Sequence, residues 1–364
     1  MLKKVCHVTS VHRPTDKRIF ERECTSLTKF YDVTLIAPNV EDYEENGVHV
    51  KGVSLPKSRI KRMIGLDVVM KKMVEVDADL YHLHDPELIP IGLKIKKMGK
   101  KIIFDSHENV PVQILSKPYL PCRKLISCIY SFYEKKSFRK YDALVSVTPE
   151  IVDRLKKINS QTYMLTNYPV YEEFIPDRRW YRKLVFAGAV SSNWGIHIII
   201  DVIKNLDLSF EIAGPTSEDY LNQLKVIPGW NKVNYHGRLN PSEVPDLLSQ
   251  CSIGMALESY DNPNAGYRKG SIGVTKIYEY MMAGIPVIAT DLDNWIPIVE
   301  GNECGFCINR DDKDVIVEKI KYLLLHTDEA KRLGDNGRKA VKEKYCWQKQ
   351  EEVLFKMYSQ LLDQ

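Results

Sequence analysis

A chain of 364 residues with 44% hydrophobic and 27% charged residues has the composition of a soluble globular protein, long enough for two domains of about 150–200 residues each. No apolar run reaches the roughly 20 residues that span a bilayer, and "MLKKVCHVTSV" turns polar before any cleavage-like segment, so it reads as a first strand and not as a signal peptide. The net charge of +4 is uneven: residues 1–170 hold 29 Lys and Arg against 20 Asp and Glu, and residues 171–364 hold 23 against 28, so the front half is the one suited to an anionic partner.

Along the chain, "KKVCHVTSV" is an apolar, β-branched run that predicts a strand. "KRIFERECTSLTKF" spaces Ile19, Phe20, Leu27 and Phe30 as a helix does. "YDVTLIAPN" and "GVHVKGVSLP" predict strands, "IGLDVVMKKMVEV" a helix, "ADLYHLHD" a strand, and "IPIGLKIKKMGK" a helix with a glycine stop. "KIIFDSHEN" is the next strand, and "YDALVSVT" and "QTYMLTNYP" are two more around a short helix. After the charged, proline-bearing "VYEEFIPDRRWY" the alternation restarts. "RKLVFAGAV", "LSFEIAGP", "VNYHGRL" and "IGMALES" read as strands, separated by the helices "GIHIIIDVIKNL", "SEDYLNQLKVI" and "PSEVPDLLSQC". "GVTKIYEYMMAGIPVIATD" then gives a helix, a glycine stop and a strand, before "GFCIN" and two closing helices. Near-continuous apolar strands between amphipathic helices predict parallel sheets covered on both faces. The expectation is two α/β units, residues 1–168 and 169–347, with a linker near 168–182, and ligands bound outside the carboxyl ends of the strands.

Three local patterns bear on function. The eight cysteines are scattered, and Cys304 and Cys307 form one CxxC without the second pair of a zinc ribbon, so they read as reduced thiols of a cytosolic protein. "HLHD" sets His82 and His84 on one strand face, but Pro86 and Glu87 follow where an HxHxDH metallohydrolase continues with Asp-His, so no metal is expected. The segment 117–141, "KPYLPCRKLISCIYSFYEKKSFRKY", has seven Lys and Arg against Glu134 alone, with Leu125, Ile126, Ile129, Tyr130, Phe132 and Tyr133 as an apolar side. It fits an interfacial helix on an anionic membrane surface, and equally a helix packing that side into the core.

Glu279 poses a separate question. It lies among Ile277, Tyr278, Tyr280, Met281 and Met282, where few polar residues build an outer face and a buried, unpaired carboxylate is costly. It is expected to face a cleft and a polar partner. The sequence around it, "KIYEYMMAGIPVIATD", carries a resemblance, together with "FAGAVSSNWGI", "VNYHGRL" and "LLSQCSIGMAL" in the back half and "SVHRPTDKRIFERE", "HLHDPELIPIGL" and "DSHENVP" in the front half. In this order, over essentially the whole chain, they resemble the GT-B glycosyltransferases of the family 4 type. These are retaining nucleotide-sugar enzymes, and the likeness is to bacterial transferases that build capsule, exopolysaccharide or O-antigen.

The resemblance implies an α/β fold of two Rossmann-like domains facing across a cleft, the acceptor-side one joined by the C-terminal helix, roughly residues 348–364, and the second binding the nucleotide sugar. Glu279 would take the ribose hydroxyls. The helix from Val274 would aim its N–H groups at the diphosphate, with Thr275 adding a hydroxyl and Lys276 a counter-charge. Gly237 and Arg238 would meet the base. His107, oriented by Asp105 and Glu108, would lie beside the transferred sugar and diphosphate, as a donor to charge developing there. In the first loop, with His12, Arg13, Lys17 and Arg18, Asp16 is either the partner of the acceptor hydroxyl or a helix N-terminal aspartate. The implied partners are a nucleoside-diphosphate sugar and a glycan or lipid-linked acceptor, with no nucleic acid, no metal and no other cofactor, in the cytoplasm or peripherally at the inner face of the membrane.

Two positions depart from the family. Ser271 stands where a second glutamate is common, and "GAVSSNWG" (188–195) lacks the usual arginine and lysine. Arg268 and Lys269, on a glycine-bearing loop, are the expected substitutes for the diphosphate grip, with Arg13 or Arg18 reaching in on closure. A non-catalytic partner subunit and a nucleotide-sugar epimerase are the rival readings.

Overall fold

The β-branched runs form the strands in this computed structural model, which describes residues 2–173, 181–262 and 266–363. Contacts divide the chain into residues 1–167 with 350–364, and residues 168–349. Residues 174–180 of the expected linker lie outside the described residues.

The first unit contains β1 (Lys4–Val8), β2 (Asp32–Pro38), β3 (Tyr43–Glu45), β4 (Val48–Val53), β5 (Leu80–Leu83), β6 (Lys101–Ser106), β7 (Ala143–Ser146) and β8 (Thr162–Met164). They form one sheet in the order β3-β4-β2-β1-β5-β6-β7-β8. All neighbours are parallel except β3 and β4. The second unit contains β9 (Lys183–Ala187), β10 (Ser209–Ala213), β11 (Val233–Gly237), β12 (Ile253–Ala256), a two-stranded ribbon of β13 (Asp261–Asn262) and β14 (Gly266–Tyr267), then β15 (Val287–Thr290) and β16 (Gly305–Ile308). Its main sheet is wholly parallel, in the order β11-β10-β9-β12-β15-β16. Both are doubly wound α/β sheets, with Val5, Val33, Leu80 and Ile103 at the centre of one and Leu184, Phe210, Ile253 and Ile288 at the centre of the other, all inaccessible to solvent.

The order reverses between β1 and β5 in the first sheet and between β9 and β12 in the second. At such a reversal the loops from the two strands diverge to opposite faces and leave a crevice at the carboxyl ends. The Thr275–Ala283 helix packs over β12 because Gly254 has no side chain: a Cβ there would lie 2.4 Å from the Tyr280 ring. It ends at Gly284, whose φ of 72° is the left-handed conformation that closes a helix.

Two local expectations are corrected. "KRIFERECTSLTKF" is not one α-helix: Ile19–Cys24 is wound as a π-helix and only Thr25–Leu27 follows as α-helix. The Arg123–Phe138 helix does not bury its apolar side. Its inward residues are Ser127, Glu134, Ser137 and Phe138, and Glu134 accepts hydrogen bonds from Arg154. Leu125 and Ile129 are 60% exposed and Phe132 is 70% exposed, while Tyr130 and Tyr133 are half-buried. Among the described residues, no helix is long and apolar enough to cross a membrane.

Candidate functional site

The crevice end of the second sheet collects charge from distant parts of the chain. β9 leads into Gly188, whose φ of 143° excludes other residues, and on to Trp194. From the Thr275–Ala283 helix, Lys276 lies over this loop: a Cβ on Gly188 would lie 2.9 Å from Lys276 Cε. Lys276 Nζ stands 3.3 Å from the centre of the Trp194 ring, a cation–π contact. The lysine is 8% exposed, and burial pushes its ammonium down to about 8, with Glu258 and then Glu279 acting the other way. The loop without a basic residue of its own is therefore supplied with a cation from behind.

Glu279 is three residues further along the same helix and half-buried. Among the described residues no hydrogen-bond donor engages its carboxylate. Val274 and Thr275 are half-buried at the helix start, and no side chain caps the first turn, so its N–H groups remain available to an anion. Gly237 has a φ of 65°. Its carbonyl accepts from the Gly214 N–H at 2.7 Å, and a Cβ there would meet nothing within 4 Å. Arg238 beside it is exposed.

Arg268 and Lys269, the expected substitutes for the diphosphate grip, are each paired with an acid. Arg268 donates to Asp291 at 2.6 Å and lies 4.5 Å over the Tyr260 ring, and Lys269 donates to Asp293 at 2.8 Å. Both acids belong to the segment that follows β15, so the two loops are tied to each other. Ser271 accepts from the Gly273 N–H and shapes the approach to the helix.

In the first unit the crevice between β1 and β5 holds the other candidates. Asp85, after β5, accepts from the Thr9 hydroxyl at 2.8 Å and the Ser10 N–H at 2.6 Å, and so fixes the start of the 9–18 loop. Asp16 accepts from the N–H groups of Arg18 and Ile19, the position of a helix N-terminal aspartate, and pairs with His12 at 3.5 Å. Burial would raise its carboxyl, but the His12 and backbone hydrogen bonds outweigh that and hold it well below the usual range. The same pairing raises His12. His12 stacks on His107 with centroids 5.0 Å apart. Arg13 and Lys17 are exposed.

His107 is one-fifth exposed, and its Nε2 lies 3.4 Å from Asp105 and 3.3 Å from His84 Nδ1. Burial pushes it down to about 4 against the pull of Asp105, so the ring is neutral at pH 7. An ionised carboxylate only accepts, so Asp105 favours the proton on Nε2 and leaves Nδ1 as an acceptor. In that tautomer the outer nitrogen suits a hydroxyl of a ligand. Glu108 binds Gln113 and leaves the orienting of His107 to Asp105.

Arg18 is a further correction. It is 4% exposed, donates to Asp105 at 2.8 Å, to the Leu165 carbonyl and to Asn167, and lies 3.1 Å from Glu23. A guanidinium held by so many partners inside one unit does not reach out to a ligand. Burial would raise Asp105, but Arg18, then His107 and His84, hold it far below the carboxylate range. Sequence reasoning also passed over His7, Glu23 and Trp194. The first two lie in runs that read as strand and helix, and Trp194 carried only the note that its loop lacked a cation.

Two family models match the chain. "Glycosyltransferase Family 4" covers residues 18–162 and "Glycosyl transferases group 1" covers residues 174–340. Spore coat protein SA of Bacillus subtilis is 21% identical over 363 residues, 91% of each chain. The capsular polysaccharide biosynthesis glycosyltransferase CapM of Staphylococcus aureus is 28% identical over 184 residues, 49% of this chain and 46% of its own. Among solved structures, Anabaena Alr3699/HepE in complex with UDP superposes with a TM-score of 0.72 at 13% identity, covering 99% of this chain and 100% of that one.

Proposed function

This chain belongs to the GT-B glycosyltransferases of the family 4 type, and on that premise we propose that it moves a sugar from a nucleoside-diphosphate sugar to a glycan or lipid-linked acceptor with retention of anomeric configuration, in cell-surface polysaccharide synthesis. The observation that carries the reading is the Lys276–Glu279 pair at the crevice end of the second sheet: a buried cation over the backbone of Gly188, and three residues on a carboxylate with no donor among the described residues.

Each part of the donor has a chemical counterpart there. Glu279 accepts both hydroxyls of the ribose diol. Lys276, the Thr275 hydroxyl and the first-turn N–H groups face the diphosphate, so that charge growing on the departing phosphate is met by groups already in place. Gly237 brings backbone to the base and Arg238 stacks on it. In the first unit, His107 Nδ1 accepts from a hydroxyl of the transferred sugar, while His12, Arg13 and Asp16 face the acceptor. The step is front-face: the donor's anomeric C–O bond breaks, the acceptor oxygen enters on the same side, and the leaving phosphate helps to take the hydroxyl proton. No metal is required, because Lys276 and the helix end supply the positive charge. That HepE is described in complex with UDP, and CapM in capsule synthesis, supports a nucleotide-sugar donor and a polysaccharide product. The exposed apolar and basic face of the Arg123–Phe138 helix supports peripheral attachment to an anionic membrane, where a lipid-linked acceptor is presented.

The test is a thermal-shift series with UDP, GDP, CDP and ADP, followed by NMR of the product anomer from the matching sugar nucleotide. One nucleotide should stabilise the fold and yield an axial or equatorial bond as in the donor. No shift with any nucleotide and no donor turnover would replace the reading with a non-catalytic partner subunit. Sugar conversion without acceptor would replace it with an epimerase.

A further inference from the structure

The register of the first sheet gathers imidazoles on one face. His7 of β1 pairs directly with His82 of β5, and His84 follows two residues on. His82 pairs with Ile103 of β6, so Asp105 falls on the same face by the alternation of a strand. The Ile19–Cys24 helix brings Glu23 to that face, and the C-terminal Trp347–Leu362 helix brings Tyr358. His7, Glu23 and His82 are wholly buried and His84 is 2% exposed.

The separations are those of a ligand set. His7 Nδ1 lies 2.9 Å from His84 Nε2 and 3.7 Å from Glu23 Oε2. Glu23 Oε2 lies 4.0 Å from His84 Nε2 and 3.9 Å from His82 Nδ1. One ligand atom from each of the four residues lies within 4.8 Å of all the others. A tetrahedral ion about 2.0–2.2 Å from each ligand sets those separations at roughly 3.4 Å, so the four pairs just given depart from it by about half an ångström, and the wider ones, within 4.8 Å, are closed by a turn of His82. Neither carboxylate oxygen of Glu23 accepts a hydrogen bond among the described residues, and His82 Nε2 has no partner either. An acid this deeply buried needs a donor or a cation. Arg18, whose Nε lies 3.1 Å from Oε1, is shared with Asp105.

We propose that this chain binds one divalent transition-metal ion of the zinc class through His7, His82, His84 and Glu23. The surroundings suit it. With Nδ1 of His7 on the ion, its Nε2–H donates to Tyr358 Oη at 2.9 Å. With Nε2 of His84 on the ion, its Nδ1–H faces Asp105 at 3.6 Å. Holding the second ring nitrogen in this way is what orients a metal-bound histidine. His82 Nδ1, 2.9 Å from Tyr358 Oη, is the ligand that turns on binding. Four protein ligands leave no open position, so the ion is structural: it joins β1, β5 and the Ile19–Cys24 helix, and has no part in the metal-free transfer chemistry.

The test uses the full, untagged chain purified without chelator, with metal content measured by plasma mass spectrometry, then stripped and reloaded with Co²⁺. The expected result is one equivalent of metal per chain and the intense visible bands of tetrahedral cobalt. Glu23→Gln, which keeps the side-chain size, should lose both, and His236→Ala, which removes an exposed histidine of the other unit, should keep both. Wild-type protein that takes up no stoichiometric Zn²⁺ or Co²⁺ overturns the proposal, as does Glu23→Gln protein with unchanged uptake. If Glu23→Gln does not fold, the cobalt spectrum of the wild type decides, and weak octahedral bands or none overturn the site.

Discussion

Lys276→Met separates the diphosphate grip from every other part of the donor site. With the ammonium pushed down to about 8, about nine-tenths of the lysine is charged at pH 7 and about one-tenth at pH 9. If the charged form holds the diphosphate, wild-type affinity for a nucleoside diphosphate falls about tenfold between those two pH values, while affinity for the free nucleoside stays level. A charge-assisted hydrogen bond contributes about 1.5–3 kcal/mol, so the methionine variant should bind the diphosphate about 10–150-fold more weakly at pH 7 and show no pH slope. Stability moves the other way. The folded chain holds this lysine below its ordinary 10.5, so it binds fewer protons than the unfolded chain between about pH 8 and 10.5, and wild-type stability rises with pH across that window. Below it the folded state carries a cost of about 3 kcal/mol, which methionine relieves in so far as its side chain fills the same space, so the variant's Tm should rise. Calorimetry at pH 7, 8 and 9, with nucleoside as the control, measures the binding terms. A flat wild-type profile together with unchanged diphosphate affinity in the variant would refute the argument.

Three further outcomes follow from the same geometry. Glu279→Gln should keep the fold and weaken nucleotide binding by about 1–3 kcal/mol; equal calorimetric affinities would remove the ribose role. His107→Ala should lower kcat far more than donor affinity, by roughly 10–100-fold for a lost hydroxyl contact, and because burial pushes the ring down to about 4 the wild-type rate should show no limb from this residue between pH 5 and 8. A change confined to KM would make it a binding residue only. Replacing Leu125, Ile129 and Phe132 together by Ser should abolish flotation with anionic liposomes at low salt without lowering Tm, since all three are exposed; an unaltered flotation profile would place the membrane contact elsewhere.

What the sequence made legible is local. The alternation of apolar strands and amphipathic helices gives both parallel sheets, and Lys276 and Glu279 share a helix, three residues apart in an otherwise apolar run, so their common direction follows from helix geometry. For the missing loop cation the sequence offers Lys276 as a counter-charge, and Arg268 and Lys269 on the glycine-bearing loop that runs into the same helix. The structure pairs Arg268 and Lys269 with Asp291 and Asp293 and lays Lys276 over Gly188. Nothing in the local pattern encodes a contact between residues 188 and 276; it requires β9 and β12 to be neighbours. The histidine cluster was hidden for the same reason. His7 belongs to β1 and His82 to β5, and only the doubly wound order places them opposite one another.

The basic front half shows how a charge count changes meaning once burial is known. Arg13, Lys17 and Arg18 look alike in sequence, yet Arg18 is buried against Asp105, 87 residues away. Its charge holds Asp105 in the ionised state, Asp105 lies against the inner nitrogen of His107, and so a residue that reads as ligand-binding acts on the site at second hand. The surplus that remains at the surface is concentrated elsewhere. Arg123, Lys124, Lys135, Lys136, Arg139 and Lys140 are all exposed on or just after one helix, while its single acid, Glu134, is turned inward to Arg154. Those six charges account for most of the excess of Lys and Arg over Asp and Glu in residues 1–170. On the proposed membrane attachment, this helix, which carries exposed Leu125, Ile129 and Phe132 on the same outward side, is the part of the front half that meets the anionic lipid. A diphosphate offers oxygens alone, whereas an anionic lipid surface offers both the negative charge and the apolar interior that such a side chain set needs.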